Sequence, residues 1–266
     1  AINIVSNSLE TSKYSAIVVD EAQDFGMRAF KLLRTLVDEG KNDLFIVGDA
    51  HQRIYGHKVV LGQCEINVRG RSKKLKLNYR TTDEIRKWAV ALFNGENIDD
   101  LDEGTDSNRD YKSLYNGPKP EVKNFETFDE EVTYIHQYIE NIKKTDNESK
   151  ICLVVRTQKL VDVYSDYFSK SNMKTIKISR NSKDDLSNTD VRIATMHRVK
   201  GLDFDHVIIA SMNKGIVPLE TIEKSDEDLI NSENLQKEKS LVFVAATRAK
   251  KSLLVTSYGI TSEILR

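Results

Sequence analysis

A chain of 266 residues with 30% charged and 39% hydrophobic residues has the composition of a globular protein of two ordinary domains or one large one. No apolar run is long enough for a bilayer-spanning helix, and no signal-peptide pattern opens the sequence, so no membrane association is expected. The 40 Lys and Arg balance 41 Asp and Glu, for a formal net charge of -1. Bulk charge therefore gives no support to nucleic-acid binding, although a binding groove needs only a local positive field. Cys64 and Cys152 stand apart with no metal-ligand neighbours, which argues against zinc and for a reducing, cytoplasmic compartment.

Short β-branched runs alternate with amphipathic helices, a pattern that predicts an α/β fold with mainly parallel sheets. Ala16-Ile17-Val18-Val19 reads as a buried strand. A helix is expected around Phe30, Leu33 and Val37, with Gly40 placed to stop it. Leu44-Phe45-Ile46-Val47 reads as a second strand, ending at Gly48-Asp49. The basic run at 69–76 reads as solvated surface. Thr81 and Glu84 have the spacing of a capping box, followed by a helix with Ile85, Trp88, Ala89 and Leu92 on one face and Gly95 just past its end.

From 95 to 120 the apolar periodicity disappears and acidic residues from Glu96 to Asp110 accumulate, so a linker and a domain boundary are expected there. The alternation then begins afresh. A helix is predicted over 129–144, with Val132, Ile135, Ile139 and Ile142 on one face. Strands follow at 151–155, 174–178, 191–194, 206–210 and 252–256, with helices near 160–168 and 234–249. The expected organisation is one partial α/β unit over 1–95, a linker over 96–120 and a second unit over 121–266.

Five segments carry candidate chemistry. Asp20-Glu21-Ala22-Gln23 places two carboxylates at the end of an apolar strand, where one can hold Mg²⁺ and the next can polarise water. Acidic residues there also suit the start of a helix. Gly48-Asp49-Ala50-His51-Gln52 follows the second strand; Gln52 there can sense a terminal phosphate and Tyr55 can stack on a base. Asn78-Tyr79-Arg80 precedes a helix start, where a cation is disfavoured unless something anionic is near. The polar loop at 195–205 gathers Thr195, His197, Gly201 and Asp203, groups suited to phosphates or to an ordinary connection. Arg248, in Ala246-Thr247-Arg248-Ala249, serves either the carbonyl end of the last helix or a nucleotide as an arginine finger.

In this order and spacing the five segments resemble the motifs of the UvrD/Rep-type superfamily 1 DNA helicases from Walker B onward, over nearly the whole chain. The resemblance implies RecA-like parallel sheets, one partial motor domain followed by a second. ATP and Mg²⁺ are the implied cofactors, with Asp20 holding the metal and Glu21 activating water. It also implies Gln52, Arg80 and Arg248 at the γ-phosphate, Gln23 and Gly201 in the nucleotide site, Tyr79 on the adenine, and Asp203 where the family commonly has glutamate touching the nucleotide. Tyr55, His57, Thr195 and His197 are the positions expected to face single-stranded DNA or its junction with duplex. Family motors move 3′ to 5′, and a cytoplasmic, nucleoid-associated location follows.

Departures from the pattern bear on activity. No Gly-x-x-x-x-Gly-Lys-Ser/Thr occurs anywhere in the sequence, so the phosphate-binding loop is missing. The expectation is a truncated chain whose partner is the remaining N-terminal part of the same protein, and which is inactive alone as an ATPase. Only a short polar segment, about 179–190, stands where relatives carry a large accessory domain. His57 replaces a frequent tryptophan, and Asp203 is one methylene shorter than glutamate. The rival expectation is a docking module that keeps the helicase fold without motor activity.

Overall fold

Seen in a computed structural model, the chain is described over residues 14–55, 59–94, 111–179, 190–220 and 228–265. Two units emerge from its contacts, dividing between Leu75 and Lys76.

In the first unit, β1 (Ile17–Val19) and β2 (Leu44–Ile46) form a parallel pair with Ile17 opposite Leu44 and Val19 opposite Ile46. The helix α1 (Met27–Thr35) lies between them in sequence. Phe30 from α1, Val19, and Val59, Leu61, Cys64 and Ile66 from the following segment make one core. Burying such side chains is the main stabilising term of a small unit. The expectation of a fully buried first strand is corrected: Val18 is 73% exposed and its register partner Phe45 65%. Side chains alternate across a strand, so these two share the face turned away from the core. The helix ends at Thr35, with Leu36 donating its backbone N–H to Leu33. Gly40 therefore lies beyond the stop rather than at it.

Within the second unit a six-stranded parallel sheet runs in the order β5-β10-β9-β6-β8-β7. These strands are β5 (Glu121–Phe125), β6 (Ile151–Val155), β7 (Thr175–Lys177), β8 (Val191–Thr195), β9 (Phe204–Ile209) and β10 (Ala249–Tyr258). All five residues of β6 are buried, as expected for a central parallel strand covered on both faces. One face packs against α3 (Phe128–Thr145) and α4 (Gln158–Lys170) through Val132, Ile135, Ile139, Val161, Tyr164 and Phe168. The helix α5 (Asp228–Ala246) lies against β9 and β10. Thr127 caps α3 in a reciprocal box with Glu130, satisfying two of the amides a helix start leaves open.

A second parallel pair, β3 (Leu77–Thr82) with β4 (Lys112–Tyr115), belongs to the same unit and leads into α2 (Asp83–Ala91). Residues 76–94 thus group with the second unit, whereas the sequence had closed the first unit at residue 95. Part of the expected linker is a strand, β4; residues 95–110, Gly95 among them, lie outside the described residues. The capping box expected at Thr81 is corrected as well. Thr82 is the N-cap and accepts from Ile85 N, while buried Thr81 meets the Asn78 side chain. Glu84 instead accepts the Gly117 N–H at 2.7 Å, tying the turn after β4 to α2.

Gly117 is placed by close approach. A Cβ there would lie 2.6 Å from Thr82 Cγ2 and 3.4 Å from the Lys251 carbonyl oxygen. Gly117→Ala must push the capping threonine aside, and we expect a loss of about 1–3 kcal/mol, the usual cost of overpacking. Chemical denaturation measures it; an unchanged midpoint would show that Thr82 yields without cost.

Candidate nucleotide and nucleic-acid sites

At the end of β1 the chain leaves the strand with Asp20 and Glu21 exposed. Glu21 sits at φ 51°, a left-handed conformation uncommon for a residue with a side chain, and Asp20 Oδ1 accepts its backbone N–H at 2.8 Å. Gln23, buried one turn on, donates through Nε2 to Glu21 Oε2 and accepts the Asp49 N–H at 2.9 Å through Oε1. Asp49 in turn accepts from the His51 backbone N–H and from Gln52 Nε2, the latter at 2.8 Å, and its Oδ1 lies 3.2 Å from the His51 ring. Partial burial works against the Asp49 charge, but His51 and Gln52 outweigh it and lower its pKa.

One connected network therefore runs Glu21–Gln23–Asp49–Gln52 and joins the ends of both strands. Tyr55, three residues beyond Gln52, is exposed; His57 lies outside the described residues. Among the described residues no three acidic, His or Cys side chains converge as a metal cage. Asp20 and Glu21 are the exposed carboxylates at the end of β1.

A different cluster is built within the second unit. Between the pairs Asn78–Ser113 and Thr82–Tyr115, β3 has three residues where β4 has one. This bulge carries Tyr79 and Arg80. Asn78 Oδ1 accepts from the Arg80 and Thr81 amides at 2.7 and 3.3 Å, replacing the ladder bonds the bulge gives up. Arg80 Nε reaches to 2.9 Å from Asp203 Oδ1, and Lys250 Nζ lies 3.8 Å from Oδ2. The Arg80 contact has ion-pair distance without hydrogen-bond alignment, and Asp203 Oδ1, shielded from solvent, has no hydrogen-bond donor among the described residues. Tyr79, Arg80, Tyr115, Asp203, Asp205, Lys250 and Lys251 line an open cleft of about 550 Å³.

Thr195 ends β8, and the loop beyond it is anchored by buried Met196 and Val199 and turns at Gly201, φ 83°. His197 is half-buried, and its pKa is lowered by that burial and by Arg156 and Arg198, against an opposing pull from Glu238. Arg156 and Glu238 form a two-pronged ion pair, with Nε to Oε2 at 2.9 Å and Nη2 to Oε1 at 2.6 Å, both side chains largely buried. Sequence reading missed this pair: its members lie 82 positions apart and neither stands in a motif. Arg248 is 2% exposed, and its Nε donates to the Val244 carbonyl at 3.1 Å, the helix-end arrangement.

The parallel sheet covered by helices, with chemistry at the strand ends, defines a RecA-like α/β protein. Comparison with known families is specific. Residues 73–182 and 174–259 match the UvrD-like helicase C-terminal domain, and residues 6–60 match the UvrD/REP helicase N-terminal domain. The chain belongs to the UvrD-like helicase family.

Its similarity to a protein of Mycoplasma pneumoniae named "Probable DNA helicase" is 22% identity over 95% of this chain and 45% of that one. The ATP-dependent DNA helicase Rep of Buchnera aphidicola subsp. Schizaphis graminum is 39% identical over 25% of this chain and 9% of its own length. The DNA helicase II of Rickettsia typhi is 38% identical over the same shares, 25% of this chain and 9% of its own. The chain thus spans less than half the length of these relatives. Among solved structures, the C-terminal domain of a possible DNA helicase from Lactobacillus plantarum superposes with a TM-score of 0.50 at 16% identity, covering 71% of this chain and 92% of that domain. That likeness supports the fold alone. No described helix is long and apolar enough to cross a membrane.

Proposed function

We propose that the chain is the coupling part of an ATP-dependent DNA helicase or translocase that moves 3′ to 5′ on single-stranded DNA. The observation that carries this is the Glu21–Gln23–Asp49–Gln52 network. It links a carboxylate suited to activating water with a carboxamide suited to sensing a terminal phosphate, so a change at one is felt by the other. Asp20 would hold Mg²⁺, and the metal when bound would neutralise charge developing on the phosphates. Glu21 would orient and deprotonate the attacking water, and Gln52 would contact the γ-phosphate.

Arg80 would stabilise phosphate charge from the second unit, and Arg248 would do so from the helix end, fixed through Nε on Val244. Tyr79 would stack on the base, and Asp203 Oδ1, which has no hydrogen-bond donor among the described residues, would accept a nucleotide hydroxyl beside the turn at Gly201. Tyr55, His57, Thr195 and His197 would meet the single strand, His197 through a ring whose burial disfavours its charged form. The missing P-loop leaves no backbone cradle for the phosphates, so the chain alone is proposed to be inactive and to work joined to the upstream part of the same protein, in the cytoplasm on nucleoid DNA.

The same missing motif is the one feature favouring a docking module, which would need neither the Glu21 network nor Arg80. ATP hydrolysis by the full-length protein, with and without single-stranded DNA, decides between them. Strong stimulation by DNA is expected; background turnover in both conditions would leave the docking reading standing.

A further inference from the structure

Single exposed aromatic side chains are ordinary, but two that line one cleft form a surface on which a flat ligand can rest. Tyr79 and Tyr115 are 66% and 60% exposed, and both line the same cleft. Neither hydroxyl makes a hydrogen bond among the described residues, and neither ring packs on another aromatic there. Tyr79 matches a family motif; Tyr115 matches none and was read as linker.

Its placement is nonetheless well determined. Tyr115 is the last residue of β4, opposite Thr82 and beside the β3 bulge that carries Tyr79. Two residues on, Gly117 is pinned from both sides, by Glu84 on its N–H and by Thr82 where its Cβ would be. The strand end cannot slide, and a positioned aromatic loses little freedom on binding.

The rest of the cleft complements that wall. A second bulge, between Ala249 and Ser252 in β10, carries Lys250 and Lys251. Lys251 is committed to the fold. Burial disfavours its charge, but Asp146 and Asp205, at 3.2 and 3.3 Å, outweigh it and raise its pKa. Lys250 and Arg80 share one carboxylate, Asp203, at 3.8 and 2.9 Å, which leaves one positive charge in excess beside the two rings. The cleft is open to solvent along its length, so a ligand there rests on a surface and is not enclosed. The ligand these features fit has a flat apolar ring at one end and an anionic group at the other.

We propose that Tyr115 is a second base-contacting residue, which with Tyr79 holds the base of a nucleoside triphosphate whose phosphates lie toward Arg80 and Lys250. This rests on the reading of Tyr79 and Arg80 as nucleotide contacts given above. Stacking reads the face of the base, not its edge, so the contact favours any nucleobase over none.

The test is ligand-observed NMR titration of this chain with two probes, ATP and tripolyphosphate, the second having the charge without the base. Wild type is expected to bind ATP more tightly than tripolyphosphate. Tyr115→Ala is expected to weaken ATP about tenfold, the loss typical of one stacking aromatic, with tripolyphosphate unchanged; Tyr115→Phe is expected to match wild type, since the hydroxyl is unused. If Tyr79→Ala weakens ATP and Tyr115→Ala does not, the role of Tyr115 is overturned while the nucleotide reading stands. If wild type binds ATP no better than tripolyphosphate, both fall. Loss of both probes in Tyr115→Ala would show that the residue only supports the fold, which also overturns the proposal.

Discussion

Replacing Glu21 by Gln in the full-length protein is expected to lower DNA-stimulated ATP turnover by about a hundredfold or more, with the KM for ATP nearly unchanged. The size follows from general-base catalysis, which contributes about 10²–10⁴ in rate. Glutamine preserves the shape of the side chain, and its carbonyl oxygen can still accept from Gln23 Nε2 as Glu21 Oε2 does. The network to Asp49 and Gln52 is therefore retained, while the negative charge that takes a proton from water is gone. A loss confined to kcat marks an interaction made only in the transition state. A large rise in KM with kcat intact would place Glu21 in nucleotide binding instead. Turnover within twofold of wild type would remove it from the chemistry altogether.

That residue is also the clearest case of what sequence alone conveys. The order Asp-Glu-Ala-Gln at the end of an apolar strand was visible, but the bond from Gln23 to the Asp49 amide, 26 positions away, has no local signature. The same division runs through the fold. Strand β6 was legible to the residue, because a run of Ile, Cys, Leu and Val bounded by polar residues has little alternative once buried on both faces.

Strands β4 and β5 were illegible for the opposite reason. Nearly all their side chains face solvent, so backbone pairing and a few side-chain contacts such as Phe125 with Tyr134 hold them, and no alternation of polarity records it. Because β4 was invisible, residues 76–94 had no second-unit partner to be assigned to, and the acidic stretch looked like the only boundary. The family matches, ending at residue 60 and resuming at 73, agree with the division found between Leu75 and Lys76. The shift of the helix cap from Thr81 to Thr82 has a local cause. Asn78 takes the Thr81 amide and hydroxyl into the bulge, which leaves the next hydroxyl to start the helix.

Tyr115 and the Arg156–Glu238 pair extend this point from fold to site, since both are recognisable only once distant segments meet. The ion pair further predicts a stability pattern that a simple count of interactions would miss. Arg156→Ala is expected to cost about 3–5 kcal/mol, because it strands the Glu238 carboxylate, 3% exposed on its side chain, without its partner. Glu238→Ala should cost a similar amount by stranding the guanidinium.

Replacing both together, as Arg156→Met with Glu238→Met, removes the charges and keeps most of the volume, and is expected to regain most of that loss. Burying two ions costs several kcal/mol in desolvation, which their attraction roughly offsets. Denaturant unfolding of the wild type, the two single variants and the double variant closes the cycle. A double variant as unstable as the two single losses added would mean that the pair does not act as a unit. A double variant that is stable but in which the His197 pKa moves would separate the two roles. Arg156 lowers that pKa and Glu238 raises it, so the pair would then matter for the charge of the 195–205 loop and not for the fold.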